Sequence, residues 1–219
     1  MHYKIKGIEI HSENAAKPAS QASSTLIEWL KKRPKINTAL DFGCGKLRYS
    51  KILYAKCQHL TLVDSLIQLE RSQKLRGENT NVFDYVKKHW SRARALDNDK
   101  FKVDRTKFDF ILCSNVLSAI PDITIRNEVL QNLYKALQKN GECLFVTQYR
   151  NSYFNQVKNS KQATPHLDGW ILKTIRGNFY YGILPLTKVV RLAKQHKFDI
   201  KDSWIKDGSA FVLTYVQTP

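Results

Sequence analysis

The chain has 219 residues, of which 42% are hydrophobic and 25% charged, so it suits one globular domain with a buried core, and wholesale disorder is excluded. Its 36 Lys and Arg residues outnumber its 19 Asp and Glu residues, and the net charge of +17 favours anionic partners. The apolar runs are far shorter than the roughly 20 residues of a membrane span, and the first ten residues alternate charged with apolar side chains. We therefore expect neither a membrane partner nor a secretory signal.

The first third of the chain predicts a helix followed by a strand, a tight turn, a helix and a second strand. Thr25 and Glu28 have the spacing of a capping box for the first helix, which Pro34 ends. The predicted elements are a helix over 20–33, a strand over 37–42, a helix over 47–57, a strand over 59–64 and an exposed helix over 65–74.

The rest of the chain continues the alternation after an ambiguous stretch between Gly77 and Lys107. In that stretch 82–96 has helical character and 101–103 suits a short strand. The later elements are a strand over 108–113, a helix over 123–138, a strand over 143–148, a polar connection over 149–165, a helix over 185–197, and strands over 198–205 and 210–216. The last two strands are joined through Asp207-Gly208, which predicts an antiparallel hairpin. The fold class is therefore α/β, with a mainly parallel sheet covered by helices on both faces.

A glycine turn and a following acid carry the clearest chemical signal. Asp41-Phe42-Gly43-Cys44-Gly45 stands where a strand turns into a helix, and glycines there let backbone N–H groups approach a ligand. Asp64 ends the next strand, where a carboxylate can accept both hydroxyls of a ribose. A dinucleotide fingerprint would need glycine where Arg48 stands, so NAD and FAD are disfavoured and another adenosine-containing cofactor is predicted.

These residues resemble the class I S-adenosylmethionine methyltransferase superfamily. Thr38–Gly45 is similar to its first motif and Leu62–Asp64 to its second. Phe108–Leu117 resembles the fourth strand with its cofactor-facing loop, and Leu133–Val146 the helix, turn and fifth strand that follow. The resemblance covers about residues 20–150 and implies a single domain, a three-layer sandwich around a seven-stranded sheet with a C-terminal antiparallel hairpin. One departure is Leu47, which stands where the family often has a third glycine.

The resemblance also implies the residues of the cofactor site. Asp41 would position the amino-acid end of S-adenosylmethionine, and Asp64 the ribose. Gly43, Cys44 and Gly45 would bring the backbone close, with Ser65 beside the ribose. The loop beside the methionine arm would be formed by Asn115 and Val116, and the third-strand acid that contacts the adenine is assigned to Asp84.

Residues 1–35 are expected to form an N-terminal helical extension, and about 150–184 a substrate-side insertion. Aromatic side chains of that insertion can stack on a planar substrate. Tyr149, Trp170 and Tyr180 are therefore the candidate substrate-binding residues, with Arg150 at the rim. Lys17 and Ser20 precede the first helix and are candidates to fold over the carboxylate of the cofactor.

The sequence assigns no catalytic residue and no metal ligand. Methyl transfer from a sulfonium needs alignment more than a strong base, and the histidines considered are scattered at His11, His59, His89, His166 and His196. The four cysteines are widely spaced without a C-x-x-C pair, which favours a reduced, cytoplasmic protein without zinc or disulfides.

The acceptor stays open between two classes. Cys113–Leu117 lacks the Pro-Pro pattern of amine methyltransferases that act on bases, which favours a small metabolite. The +17 charge, with basic runs over 31–35, 87–94 and 100–107, favours a nucleic acid or a nucleotide-bearing substrate. An alternative of another class is a non-catalytic, cofactor-sensing subunit that binds nucleic acid. The sequence indicates nothing about oligomeric state.

Overall fold

The computed structural model describes residues 2–150, 152–175 and 177–216. The strands are β1 (His2–Ile5), β2 (Ile8–His11), β3 (Ile36–Phe42), β4 (Cys57–Asp64), β5 (Gln73–Leu75), β6 (Glu78–Thr80), β7 (Ala93–Asp97), β8 (Phe108–Ser114), β9 (Leu137–Gln148), β10 (Ala163–His166), β11 (Gly169–Thr174), β12 (Gly177–Gly182), β13 (Asp199–Lys206) and β14 (Ser209–Tyr215). The α-helices are α1 (Ser24–Lys32), α2 (Ser50–Lys56), α3 (Leu66–Glu70), α4 (Val82–His89), α5 (Asn98–Val103), α6 (Ile123–Ala136), α7 (Ser152–Lys158) and α8 (Leu186–Gln195). None of these helices is both long and apolar enough to span a bilayer.

A seven-stranded sheet forms the centre of the molecule, in the order β13-β14-β9-β8-β3-β4-β7. Strands β3, β4, β7, β8 and β9 are parallel, whereas β14 pairs antiparallel with β9 and with β13. Consecutive side chains of a strand point to opposite faces. Accordingly Phe110 and Leu112 belong to one buried cluster, and Ile111 and Cys113 to the other. The predicted α/β fold with its C-terminal hairpin is confirmed.

The third parallel strand lies at Ala93–Asp97, and its first four residues fall within the range predicted as one helix over 82–96. It pairs with β4 from Leu60↔Ala93 to Asp64↔Asp97. The predicted strand over 101–103 is instead the end of helix α5. The reason is that the Asp97 side chain accepts hydrogen bonds from the N–H groups of Asp99 and Lys100 and caps a new helix there.

A second sheet has the order β1-β2-β12-β11-β10 and joins the first residues of the chain to the segment after β9. We call it the accessory sheet, and we call β1 with β2 the N-terminal hairpin. The expectation of a helical extension over 1–35 is wrong for the hairpin, because Tyr3 and Ile10 alternate with exposed residues at the period of a strand. Lys6 and Gly7 both have positive φ, as a two-residue hairpin turn requires.

Helical structure at this end is confined to 3₁₀ turns at Ser12–Ala15 and Ala19–Gln21 and to α1. The N-cap of α1 is Ser23, whose hydroxyl accepts from the Leu26 N–H at 3.3 Å, rather than the predicted Thr25. Thr25 instead donates to the Asp207 carboxylate at the turn of the C-terminal hairpin. The helix predicted over 65–74 ends at Glu70, because residues 73–80 form the small hairpin of β5 and β6.

A buried ion-pair cluster attaches the accessory sheet to the core. The guanidinium of Arg126 on α6 is 2% exposed and contacts both oxygens of Asp168 at 2.6 and 2.9 Å. Lys188 donates to the same carboxylate at 2.7 Å, and the Tyr180 hydroxyl donates to it at 2.5 Å. Burial alone would raise the pKa of Asp168, but these donors hold it well below its usual range. The loop between β10 and β11 is thereby fixed against α6.

Candidate functional site

A cavity of about 910 Å³, counted out to its open mouth, lies at the carboxyl ends of β3, β4 and β8. In open α/β sheets this edge is where ligands bind. Residues of three strand ends form its floor, and the segment from Ser12 to Lys17 with Tyr3 forms its roof. The N-terminal hairpin and the 3₁₀ turn after it therefore close the cavity from the side opposite the sheet.

The glycine turn forms the narrowest part of the floor. Gly43 has φ +75°, and its N–H donates to the Val63 carbonyl at 2.8 Å. A Cβ atom at Gly43 would lie 2.2 Å from Cγ2 of Val116, so only glycine fits between the turn and the loop after β8. Leu47, where the family often has glycine, is fully buried and takes a left-handed φ of +58° itself.

The carboxylate of Asp64 is fixed by the same turn. One oxygen accepts from the Gly45 N–H at 2.8 Å, and the other accepts from the Ser65 N–H at 2.8 Å. Burial raises the pKa of Asp64, and these two donors partly offset that rise. Each oxygen keeps a further lone pair, so the group can accept hydrogen bonds from a ligand in the cavity.

Asp41 is the more deeply buried acid of the site, with an exposed fraction of 3%. The Ser50 hydroxyl donates to its Oδ2 at 2.5 Å. Burial raises the pKa of Asp41 to about 6, and the neighbouring Asp64 carboxylate adds to the rise. A cationic ligand group beside Asp41 would stabilise its ionised form.

Three buried polar atoms at the cavity lack a hydrogen-bond partner within the described part of the chain. They are Oγ of Ser114, Oδ1 of Asn115 and Oε1 of Gln68. Asn115 has φ +61°, and its N–H donates to the Val146 carbonyl at 2.7 Å. Buried polar atoms are normally satisfied, so this arrangement suits a ligand that brings its own donors.

Most of the predicted cofactor residues lie together around this cavity. The lining includes Asp41, Gly43, Cys44, Gly45, Asp64, Ser65, Asn115 and Val116. The assignment of Asp84 is a positional error, because this residue lies in the exposed first turn of α4, where the Asn81 side-chain amide donates to its carboxylate at 2.7 Å. The residue that follows the true third strand and reaches the cavity is Asn98.

The aromatic residues predicted to bind substrate do not line the cavity. Tyr180 is 1% exposed and belongs to the Asp168 cluster, so it has no free face for stacking. The Trp170 ring, on β11 of the accessory sheet, packs against Phe154 of helix α7, with 5.9 Å between the ring centroids. Tyr149 follows β9 outside the lining residues. Strand β12 of the insertion pairs with β2 of the N-terminal hairpin, so the insertion contacts the roof and does not line the cavity.

The roof supplies the residues that sequence reasoning missed. Tyr3 lines the cavity, and burial raises the pKa of its phenol well above the usual range, so it is a hydrogen-bond donor there. Lys17 and Ser20 were both predicted to fold over the carboxylate of the cofactor. Lys17 lines the cavity, whereas Ser20 does not. The sequence pattern that could have indicated Tyr3 is its alternation with exposed polar residues in the first strand, which is typical of a strand with one buried face.

Comparison with known proteins assigns the chain to a family. Residues 13–185 match the family described as a methyltransferase domain. The chain belongs to this family. The Escherichia coli K12 protein YmfD is 39% identical over 212 residues, which cover 97% of this chain and 95% of YmfD. The predicted membership of a methyltransferase family is therefore confirmed, and S-adenosylmethionine is the cofactor that the sequence motifs predict for it.

Solved structures of low sequence identity share the fold. The Pyrococcus horikoshii protein PH0226 superposes with a TM-score of 0.66 at 18% identity, covering 88% of this chain and 86% of that protein. The N-methyltransferase NodS of Bradyrhizobium japonicum, crystallised with S-adenosylhomocysteine, has a TM-score of 0.59 at 15% identity and covers 89% of this chain and 85% of NodS.

Proposed function

We propose that this methyltransferase transfers the methyl group to a small-molecule acceptor that binds under the roof formed by Tyr3 and the segment Ser12–Lys17. The observation that carries this proposal is the roof itself. It covers part of the strand ends with backbone from the N-terminal segment and leaves a half-open cleft rather than a flat, exposed surface. A compact acceptor fits such a space, whereas a folded nucleic acid would require the roof to move away.

The cofactor would lie along the floor of the cavity. Asp64 would accept the ribose hydroxyls, and Asp41 would face the ammonium group of the amino-acid end. Asn115 and Ser114 offer buried acceptors beside the methionine arm. Lys17 extends from the roof toward the same cavity and would neutralise the carboxylate. Each role uses a charge or lone pair that the fold already directs at the cavity.

The chemistry asks the protein chiefly to align the acceptor. S-adenosylmethionine, when bound, supplies a methyl group already activated by its sulfonium charge. The protein holds the acceptor nucleophile in line and excludes water, which lowers the barrier through orientation. Tyr3 can orient an acceptor by donating a hydrogen bond, and Ile120 with Val129 gives it an apolar wall.

Seven of the twelve Lys and Arg residues in the basic runs that suggested nucleic acid contact other groups within the protein. Arg33 pairs with Glu142, and Arg94 pairs with Asp104. Other cations in these runs contact carboxylates or backbone carbonyls: Lys88, Arg92, Lys100, Lys102 and Lys107. Paired cations contribute less to phosphate binding than free ones, so the charge does not by itself favour a nucleic-acid acceptor over a small molecule.

The proposal is tested with methyl-labelled S-adenosylmethionine and two acceptor pools. One pool contains small amines, heteroaromatic nitrogens and phenols, and the other contains total RNA and duplex DNA. We expect labelled product in the small-molecule pool, abolished by Asp64→Ala and retained by Asp84→Ala. Label that enters only the nucleic-acid pool would overturn the small-molecule assignment. Cofactor binding without labelled product in either pool would favour the non-catalytic alternative.

A further inference from the structure

Three side chains with metal-ligand chemistry converge at the N-terminal hairpin. Nε2 of His2 lies 2.9 Å from Oε1 of Glu13, and Nδ1 of His11 lies 2.9 Å from the same His2 nitrogen. The third edge of the triangle, from His11 Nδ1 to Glu13 Oε1, is 3.4 Å. Among the described residues, these form the group of three or more such side chains close enough to hold one ion.

The fold brings the three ligands together through local pairing. His2 and His11 are direct cross-strand partners in the hairpin, with ring centroids 4.2 Å apart. Glu13 lies in the 3₁₀ turn that begins directly after β2. The two histidines stand nine positions apart, a spacing that matches no short metal motif. The spacing of these residues in the sequence therefore does not indicate a metal site, which is why none was predicted.

Hydrogen bonding uses these three atoms only in part. A single proton on Nε2 of His2 makes a straight hydrogen bond to Glu13 or to the His11 lone pair, and it reaches both only as a shared, bent hydrogen bond. A cation between the three atoms would use all three lone pairs at once.

The distances suit a divalent transition metal. Ligand atoms that each lie ~2.0–2.1 Å from a tetrahedral zinc ion are about 3.3 Å apart, so the observed edges of 2.9 to 3.4 Å need only small side-chain shifts. Two imidazole nitrogens and one carboxylate form a common donor set for such ions. The Glu13 side chain is 7% exposed, while those of His2 and His11 are 48% and 28% exposed, which leaves a path for the ion and an open coordination position.

We propose that His2, His11 and Glu13 form a binding site for one divalent transition-metal ion of the zinc class. The ion would fasten the N-terminal hairpin to the roof of the cavity. Glu13 is itself a lining residue, and its backbone carbonyl accepts from Nη2 of Arg71 at 2.9 Å. The site would therefore join the hairpin to the element that closes the cavity, independently of which acceptor is methylated.

The test is calorimetric titration of the metal-stripped, full-length protein, carrying no affinity tag, with ZnCl₂. We expect one equivalent to bind, and we expect His11→Ala and Glu13→Gln each to weaken binding about 100-fold or more. The matched control is His89→Ala, because His89 also faces a glutamate, Glu78 at 2.8 Å, but has no second histidine in the pair. It should bind zinc like the wild type.

A second readout does not depend on calorimetry. Zinc should raise the melting temperature of the wild type and of His89→Ala but not that of His11→Ala, because only a site present in the folded state stabilises it. Circular dichroism without zinc checks that each variant is folded. Failure of the wild type to bind zinc, or equal losses in His11→Ala and His89→Ala, would overturn the proposal whether or not the protein methylates a small molecule.

Discussion

The two sheets of this molecule build the cavity by different means. In the seven-stranded sheet, the strands β8, β3 and β4 are neighbours and parallel. Asp41, Asp64 and Ser114 lie at or beside their carboxyl ends, so the fold brings these residues together along one edge. In the accessory sheet, the N-terminal hairpin meets the segment 163–182 through one parallel bridge pair, Asn178↔Ile10. The floor of the cavity thus depends on a continuous parallel sheet, whereas the roof joins the accessory strands through one bridge pair and contacts the core through Arg71.

The strength of attachment differs as well. The segment 163–182 is fixed to α6 by the buried Arg126–Asp168 pair. At the joint itself, the Asn178 side chain donates to the Glu9 carbonyl at 2.9 Å from an exposed position. The following substitutions test how far the floor and the accessory sheet contribute separately to stability and ligand binding.

The largest effect is expected from Asp168→Asn. It leaves the buried Arg126 guanidinium without its counter-charge, which costs about 3–5 kcal/mol of unfolding free energy. Urea denaturation at neutral pH measures this loss. Asp99→Asn removes a carboxylate from an exposed pair with Lys102 and should change stability little. Equal midpoints for the two variants would show that the cluster does not anchor the accessory sheet.

The same pair predicts a pH dependence. The pKa of Asp168 is lower in the folded protein than the value of about 3.9 in the unfolded chain, so the contribution is present above about pH 4 and is lost as the pH falls further. The difference in unfolding free energy between wild type and Asp168→Asn should therefore shrink when urea titrations are repeated at progressively lower pH. A difference that stays constant down to pH 3 would contradict this origin.

A substitution in the floor of the cavity should weaken ligand binding directly. We expect Asp64→Ala to lower the affinity for S-adenosylhomocysteine about 100-fold. The reason is that a carboxylate that accepts hydrogen bonds from the ribose contributes on the order of 3 kcal/mol to the binding free energy. Calorimetry measures the change. Asp84→Ala serves as the control, since Asp84 is exposed on α4 and should bind the ligand as the wild type does. Comparable losses in both variants would place the ribose elsewhere.

Gly43→Ala tests how tightly the floor is packed. The new Cβ would clash with Val116 in addition to the cost of a positive φ, which together amount to about 2–3 kcal/mol of stability. Gly7→Ala is a matched control, because Gly7 has a similar φ of +80° but open space around it, and it should lose only about 1 kcal/mol. Combining Gly43→Ala with Val116→Ala should recover part of the difference in thermal denaturation.

The smallest expected effect is a gain in stability. Because the pKa of Asp41 is about 6 in the folded protein and lower in the unfolded chain, stability falls as the pH rises from about 4 to 6. Asp41→Asn should remove that dependence and raise the unfolding free energy at pH 7 by about 1–3 kcal/mol. The substitution should also lower the affinity for S-adenosylhomocysteine, because the ammonium group of the ligand would lose the Asp41 carboxylate as its partner. An unchanged pH profile of unfolding would contradict the raised pKa.

The resemblance found in the sequence reached far because its motifs lie at strand ends. Leu40-Asp41 and Val63-Asp64 are apolar runs that end in an acid, and parallel pairing puts both acids at one edge. The same pattern occurs at Leu96-Asp97, but β7 is a short edge strand between two helices, and four of its five residues fall within the predicted helix over 82–96. Asp84 was assigned in its place for that reason.

The sequence alone determined the α/β fold, the parallel core and most of the cavity floor, because these depend on local periodicity and on residues adjacent to strand ends. Only the tertiary structure decided what covers the cavity. Tyr3 reaches the site because its hairpin pairs with a strand more than 160 positions away, and Tyr180 is withdrawn from the site by its contacts with Asp168 and Arg126. Contacts at that separation leave no periodic trace in either segment, so they emerge only when the chain is folded.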